Sequence, residues 1–284
     1  PHFGAATVGG MVATGWSGPS RASVGAVRDY VLGVEILNGR AELLRFGGQV
    51  MKNVAGYDVS RLMAGSWGTL GLITEVSLKV LPVAPGETTL RFDGLSQAEA
   101  LQRLNQWGGQ PLPLNASCWV PDAAGADTGT LYLRLRGARA AVEAACRSLG
   151  GVRLDDAATA ADWQACREQT LPWFAQRTAD HVLWRLSVPQ TAPVLALPHG
   201  VGAPLIEWHG GQRWVQAPRS QGPALQALAQ SVGGSASLFR AESAGQISAS
   251  PIFDVQNPAV QRIQAQLRQA FDPVGIFNPG RTMA

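Results

Sequence analysis

Residues 65–74 read Gly65-Ser66-Trp67-Gly68-Thr69-Leu70-Gly71-Leu72-Ile73-Thr74, and they run into a segment that alternates. Leu72, Thr74, Val76, Leu78 and Val80 lie on one side of it, and Glu75, Ser77 and Lys79 on the other. Period-two alternation marks a half-buried strand. Glycines at i, i+3 and i+6 ahead of that strand let the backbone approach a neighbour that a Cβ would hold off. Such a loop serves either a crowded strand–helix junction or a flat or anionic ligand, and the surrounding sequence has to decide between them.

Upstream, Asp58 is placed to cap a short helix over 59–64, with Gly65 just past its end. Residues 30–37 and 40–46 read as strands joined by Asn38-Gly39, the dipeptide that supplies both positive-φ positions of a type I′ hairpin turn. Further back, Thr7-Val8-Gly9-Gly10 is a second glycine loop whose backbone N–H groups an anion could approach. Taken singly, each loop reads as readily as a plain turn.

Downstream, Leu81-Pro82-Val83-Ala84-Pro85-Gly86 interrupts any element and marks a boundary. Strands and helices then mix. A strand over 88–92 leads into a helix opened by the capping box Ser96/Glu99 and reaching Trp107. Strands over 117–120 and 131–136 precede a helix over 138–149 that Gly150-Gly151 stops. A helix over 158–169, a strand over 181–188, a hairpin over 205–215, a helix over 224–232 and a strand over 237–240 follow. This is the pattern of an α+β layer with an antiparallel sheet. Asn257 then caps a helix with Pro258 at its first position and Val260, Ile263, Leu267, Ala270 and Phe271 on one face. The expected division is 1–81, a linker 82–86, 87–256, and a C-terminal helix and tail 257–284.

The 284 residues are 46% hydrophobic and 15% charged, against a usual charged share of about 25%. Disorder and coiled coil both need more polarity than this. Lys+Arg 23 against Asp+Glu 20 leaves a net charge of +3, with only Lys52 and Lys79 as lysines and no basic run to hold nucleic acid. Cys118, Cys146 and Cys166 are too few for a disulfide framework or, alone, for an iron–sulfur cluster. They point to a reducing, cytoplasmic setting. His2, His181, His199 and His209 show no metal-ligand spacing. A nicotinamide-type G-x-G-x-x-G, a Walker A loop, H-E-x-x-H and G-x-S-x-G are all missing. No apolar run is long enough to span a membrane.

The glycine loops acquire meaning together. Thr7–Gly10, the small-residue stretch 13–18, Arg28-Asp29, Lys52-Asn53-Val54-Ala55-Gly56-Tyr57-Asp58, Gly65–Thr74, Asp272-Pro273 and Asn278-Pro279-Gly280-Arg281 jointly resemble the vanillyl-alcohol oxidase (PCMH-type) family of FAD-linked oxidases. Pro1-His2-Phe3-Gly4, the run 46–58, Ile206-Glu207-Trp208 and Gln212-Arg213-Trp214 narrow the likeness to the FAD-binding subunits of bacterial glycolate oxidases, over essentially the whole chain.

The resemblance implies a partial PCMH-type FAD-binding domain, then an antiparallel-sheet-plus-helices substrate (cap) domain, then a helix and tail returning to the FAD domain. The family places an earlier lobe before this point, so an N-terminally truncated FAD domain is expected, inactive alone. The implied activity is oxidation of glycolate, or a related 2-hydroxy acid, to the 2-oxo acid. Electrons would pass through a homologous flavoprotein subunit and an iron–sulfur subunit, with membrane association only through that complex, at the inner face of the cytoplasmic membrane. FAD would be held by Thr7, Val8, Gly9, Gly10, Thr14, Gly15, Lys52, Gly71, Ile73 and Asn278. Lys52 would place a positive charge near phosphate or the flavin, and Arg281 and Arg213 are candidate carboxylate clamps. His199 and His209 are candidate bases. The histidine-rich metal motif of catalytic relatives is missing, so a non-catalytic assembly subunit on a flavoprotein scaffold stands as the alternative, beside an oxidase of another 2-hydroxy acid or polyol.

Overall fold

The computed structural model describes residues 6–49, 56–122, 128–241 and 257–280. In chain order the elements are α1 (Val8–Thr14), α2 (Arg21–Val24), β1 (Val31–Leu37), β2 (Leu43–Gly47), α3 (Val59–Leu62), β3 (Leu72–Leu78), β4 (Gly86–Ser96), α4 (Gln97–Gly108), β5 (Leu114–Pro121), β6 (Thr128–Gly137), α5 (Arg139–Leu149), β7 (Val152–Arg153), α6 (Asp156–Glu168), α7 (Pro172–Ala175), β8 (His181–Ser187), β9 (Leu205–Glu207), β10 (Gln212–Pro218), α8 (Gly222–Ser231), β11 (Ser235–Arg240) and α9 (Pro258–Phe271). They fall into two compact units. One comprises residues 1–17, 25–82 and 255–284, and the other 18–24 and 83–254.

The first unit is built on an antiparallel sheet of order β2-β1-β3. Val12, Val31, Val34, Ile36, Met63 and Leu70 form its core, and Leu267 and Phe271 of α9 pack onto it. The face of α9 is only partly used, since Val260 and Ile263 remain 39% and 56% exposed. Asp58 caps α3 by accepting the Arg61 N–H at 3.0 Å.

Two expectations change here. The β1–β2 connection is not a two-residue type I′ turn: residues 38–42 form a longer loop, and Ala41, not Asn38 or Gly39, carries the positive φ of 60°. Asn38 is buried, its side-chain Oδ1 accepting the N–H groups of Arg40 and Glu42 at 2.9 and 3.0 Å. Gly39 is needed for space, because a Cβ there would sit 2.3 Å from Asp272 Oδ1. The second change is in β3. Ile36 pairs with Ile73 but Glu35 with Glu75, so Thr74 is an extra residue that flips the phase of the strand. Ile73, Val76 and Leu78 therefore pack on the core, and Leu72 is 55% exposed.

The second unit is an antiparallel sheet of order β11-β8-β10-β9-β5-β6-β4-β7. Because side chains alternate, each strand feeds two layers. On one face, Leu90, Trp119, Leu131, Leu133, Leu135 and Ile206 pack with Leu101, Leu104 and Trp107 of α4 and Val142 and Ala145 of α5. Farther along that face, Trp184, Leu186, Val215 and Leu238 pack with Leu225 and Ala229 of α8. On the other face, Ala116, Cys118, Leu183, Leu205 and Trp214 meet Trp163 and Cys166 of α6 and Trp173 and Phe174 of α7. The Ser96/Glu99 capping box forms at the head of α4, with Glu99 N donating to Ser96 Oγ at 3.2 Å and Ser96 N to Glu99 Oε2 at 2.8 Å.

Candidate functional site

In the first unit the two glycine loops and the C-terminal tail come together. Thr7 caps α1, its Oγ1 accepting the Gly10 N–H at 3.0 Å, so Val8, Gly9 and Gly10 form the first turn of the helix. Gly9 packs on β3, where an added Cβ would lie 3.5 Å from the Ile73 carbonyl oxygen. Thr14 bonds back to the Gly10 carbonyl at 2.9 Å, and Gly15, at φ 64°, closes the helix in the left-handed conformation. The second loop lies alongside: Gly65 N donates to Val12 O at 3.1 Å and Trp67 N to Ala13 O at 2.8 Å. Asn278 joins them through Nδ2 to the Trp67 carbonyl at 2.7 Å. Gly71, at φ 143°, passes so close to β1 that a Cβ would stand 2.7 Å from Leu37 O. Ser66 Oγ is buried in this loop with no hydrogen-bond partner among the described residues. Val8 and Met11 are exposed beside it. Lys52 and Arg281 lie outside the described residues.

The second unit holds a cavity of about 760 Å³ beneath α6 and α7, with Cys118, Tyr132, Asp162, Trp163, Cys166 and His181 among its walls. Behind it, Glu207 is buried and accepts bonds from Trp214 Nε1 and Gln212 Nε2 on one oxygen and Cys166 Sγ on the other, the last two at 3.0 and 3.1 Å. Burial raises the Glu207 carboxyl above its ordinary range against the pull of those three donors. The hydrogen bond with Cys118, then burial, push the Cys166 thiol well up, so it stays protonated.

Between β9 and β10 the backbone takes three successive positive φ values, 55° at Trp208, 55° at His209 and 99° at Gly210. His209 is held there by its own N–H and Nδ1 on Ser117 Oγ, at 2.9 and 3.1 Å, and by Nε2 on Ser23 Oγ at 2.9 Å. Burial lowers its pKa to about 4, so the ring is neutral near pH 7. Its two ring nitrogens are committed to serines. His199 is exposed on a loop. Arg213 is fully buried, with its guanidinium on the carbonyls of Pro193, Ala192 and Gly210 at 2.6, 2.7 and 3.4 Å. It clasps the 192–193 segment to the turn and presents no open fork to a carboxylate.

No family model matches the chain. Against curated proteins it is 43% identical, over its whole length, to the glycolate oxidase subunit GlcE of Escherichia coli K12, covering 74% of that protein. The chain belongs to the GlcE family of glycolate oxidase subunits. Shorter likenesses fall on parts of the chain. It is 40% identical over 84 residues to Bacillus subtilis glycolate oxidase subunit GlcD, covering 30% of this chain and 18% of that one. It is 34% identical over 116 residues to an Archaeoglobus fulgidus D-lactate dehydrogenase, covering 40% and 26%. Among solved structures, alkyldihydroxyacetonephosphate synthase superposes with a TM-score of 0.56 at 16% identity, over 95% of this chain and 55% of that one, which shows the shared fold.

For a GlcE relative, sequence reasoning passed over two groups that shape the second unit. Cys118 and Cys166 are distant in sequence and meet only because α6 lies across β5. Glu207 sits in a run of polar and aromatic residues, 207–214, and that density of hydrogen-bonding side chains inside an apolar domain was the available signal. Among the described residues no group of three or more His, Cys, Asp or Glu is placed to hold a metal ion, and no helix is long and apolar enough to cross a membrane.

Proposed function

We propose that this chain is the flavin-binding subunit of a glycolate oxidase complex, which oxidises glycolate to glyoxylate and passes the two electrons to an iron–sulfur partner subunit. A single observation carries the reading, the 43% identity to GlcE along the whole chain. The residues of the first unit fit FAD. Ser66 Oγ is a buried polar atom without a partner among the described residues, in a loop where a Cβ added to Gly65 would meet open space, flanked by exposed Val8 and Met11. A ligand with polar and apolar parts satisfies both. Thr7–Gly10, Thr14-Gly15, Gly71, Ile73 and Asn278 would hold it, with Lys52 and Arg281 supplying positive charge.

Bound FAD supplies the two-electron acceptor that oxidation of the carbinol carbon requires. The chain's own part is to orient that cofactor and to stabilise negative charge through Lys52. A homologous flavoprotein subunit completes the assembly, and any membrane contact is peripheral through the complex. A second reading, a non-catalytic assembly subunit, draws support from the commitment of His209 and Glu207 to partners inside the second unit. The full-length chain co-expressed with both partner subunits separates the two. Flavin absorbance assigned to this subunit, with turnover lost in Lys52→Met or Arg281→Met complexes that still assemble, supports the first. A complex whose GlcE-type subunit carries no flavin overturns it.

A further inference from the structure

The cavity of about 760 Å³ beneath α6 and α7 has no part in the proposed function, and its volume suits a drug-sized molecule. Three aromatic rings line it, Tyr132 of β6, Trp163 of α6 and Trp173 of α7, and the two tryptophans are pinned. Trp163 Nε1 donates to Thr89 Oγ1 at 2.9 Å. The Trp173 carbonyl accepts Gln216 Nε2 at 2.6 Å, and its ring stands edge-to-face on Phe174 at 5.2 Å. Two carboxylates, Asp122 and Asp162, line the same space, and among the described residues no lysine or arginine does. The cations near it are committed elsewhere. Arg91, opposite Tyr132 across β4 and β6, pairs with Asp93 at 3.0 Å. Arg134 lies over the Trp163 ring at 4.7 Å and donates to Asn115 and Ser20, each at 2.7 Å. His181, on the cavity wall, has its Nδ1 on Asp180 at 3.0 Å.

Asp122 is engaged by the hydroxyls of Thr128 and Thr130, at 3.0 and 3.2 Å. Asp162 has neither an ion pair nor a hydrogen bond among the described residues. The Tyr132 hydroxyl also lacks a hydrogen-bond partner among them. Burial pushes its pKa up, with Asp93 and Asp162 adding to that and Arg91 opposing, so the phenol is neutral and able to donate or accept. Aromatic ring faces attract a cation and carboxylates neutralise it, whereas an ionised acid would meet two like charges here. The lining therefore disfavours the anion of a 2-hydroxy acid. We propose that this cavity binds a small organic cation, a protonated amine carried on an aromatic ring, with the ring against Trp163 and Trp173 and the ammonium toward Asp162 and the Tyr132 hydroxyl. The site does not depend on the flavin reading of the first unit.

Three indoles of nearly equal size and different charge are the probes: tryptamine, a cation; tryptophol, neutral; and indole-3-acetate, an anion. Each is titrated calorimetrically into the full chain at pH 8 and fixed low ionic strength. Tryptamine should bind about fivefold to tenfold more tightly than tryptophol, and indole-3-acetate more weakly than either. Asp162 is exposed on α6, so Asp162→Asn should fold and melt as the parent does. That variant should weaken tryptamine by about twofold to fivefold, the share of an exposed charge, and leave tryptophol unchanged. Added salt should act on tryptamine in the same direction and not on tryptophol. Ala203→Trp places a ring in the cavity from its wall and should weaken all three probes at least about tenfold. Absence of saturable tryptamine binding overturns the site, as does binding that Ala203→Trp leaves intact. Tryptophol or indole-3-acetate matching tryptamine in the parent overturns the cation assignment, as does tryptamine affinity unchanged in Asp162→Asn. The readout needs neither flavin nor turnover, so the proposed function and this site stand or fall separately.

Discussion

His209 and Glu207 are neighbours but one in sequence, and burial acts on them with opposite signs. The histidine is pushed down to about 4 and the carboxyl is raised. An unfolded His209 titrates near its ordinary 6.5, so below that value the unfolded state takes up a proton that the folded state refuses. Its contribution is fully present above pH 6.5 and is lost as pH falls toward about 4, amounting to about 3 kcal/mol across that window. Glu207 runs the other way: its share is fully present below the ordinary carboxylate pKa and is lost as pH rises through its raised folded value. His209→Gln keeps an amide near Ser117 and Ser23 and removes the titration. Denaturant unfolding should then show a parent-minus-variant stability difference that shrinks as pH drops from 6.5 to 4; a difference independent of pH would refute the buried neutral imidazole. At Glu207 the test is shape against charge. Glu207→Gln retains an oxygen for the Trp214 and Gln212 donors and should cost about 1 kcal/mol or less. Glu207→Ala strands both donors beside a void and should cost about 3 kcal/mol or more. Similar losses in the two variants would show that the three hydrogen bonds do not govern this site.

At the level of elements, the legible features were those written in local sequence. The capping box of α4, the Asp58 cap of α3 and the Pro258 start of α9 each depend on side chains within four residues of the backbone group they satisfy, so they could be read directly. The Asn38-Gly39 connection misled for a tertiary reason. Its glycine answers to Asp272, more than two hundred residues away, whose Oδ1 would be 2.3 Å from an added Cβ and whose neighbour Phe271 accepts the Gly39 N–H at 2.8 Å. The extra residue Thr74 in β3 was hidden likewise, because a bulge is fixed by the partner strand and not by the alternation that it breaks. A direct consequence concerns Gly39→Ala. A φ in the left-handed region is not required at this position, so the whole cost is steric and falls on Asp272, which also accepts the N–H groups of Gly275 and Phe277 at 3.1 and 2.7 Å. Chemical denaturation should report a loss of about 2 kcal/mol or more. Asp272→Ala in the same background should recover part of it, and strict additivity of the two changes would contradict the contact.

Across the whole molecule, the candidate flavin surface was legible because its glycines are adjacent in sequence and their loops bond to each other backbone to backbone, Gly65 to Val12 and Trp67 to Ala13. The buried Glu207 cluster of the second unit was not, since Glu207, Cys118 and Cys166 come from β9, β5 and α6, which only the packing of α6 on the sheet brings together. The two units have separate cores, and that separation makes the cofactor reading measurable without turnover. Ligand binding to one folded unit stabilises that unit by mass action, about 2.7 kcal/mol at a hundredfold excess over Kd. Trp16 and Trp67 lie in the first unit, in edge-to-face contact at 5.5 Å, and the other seven tryptophans lie in the second. Replacing Trp16 and Trp67 by Phe leaves a fluorescence signal that reports the second unit, while the difference from the parent reports the first. FAD added to the full chain should move the first unit's unfolding midpoint upward by several degrees and the second unit's by less. Gly71→Val, which drives a side chain into the Leu37 carbonyl, should abolish the first shift and leave the second unit's midpoint where it was. If FAD moves neither midpoint, or moves only the second, the glycine surface of the first unit is not where flavin binds.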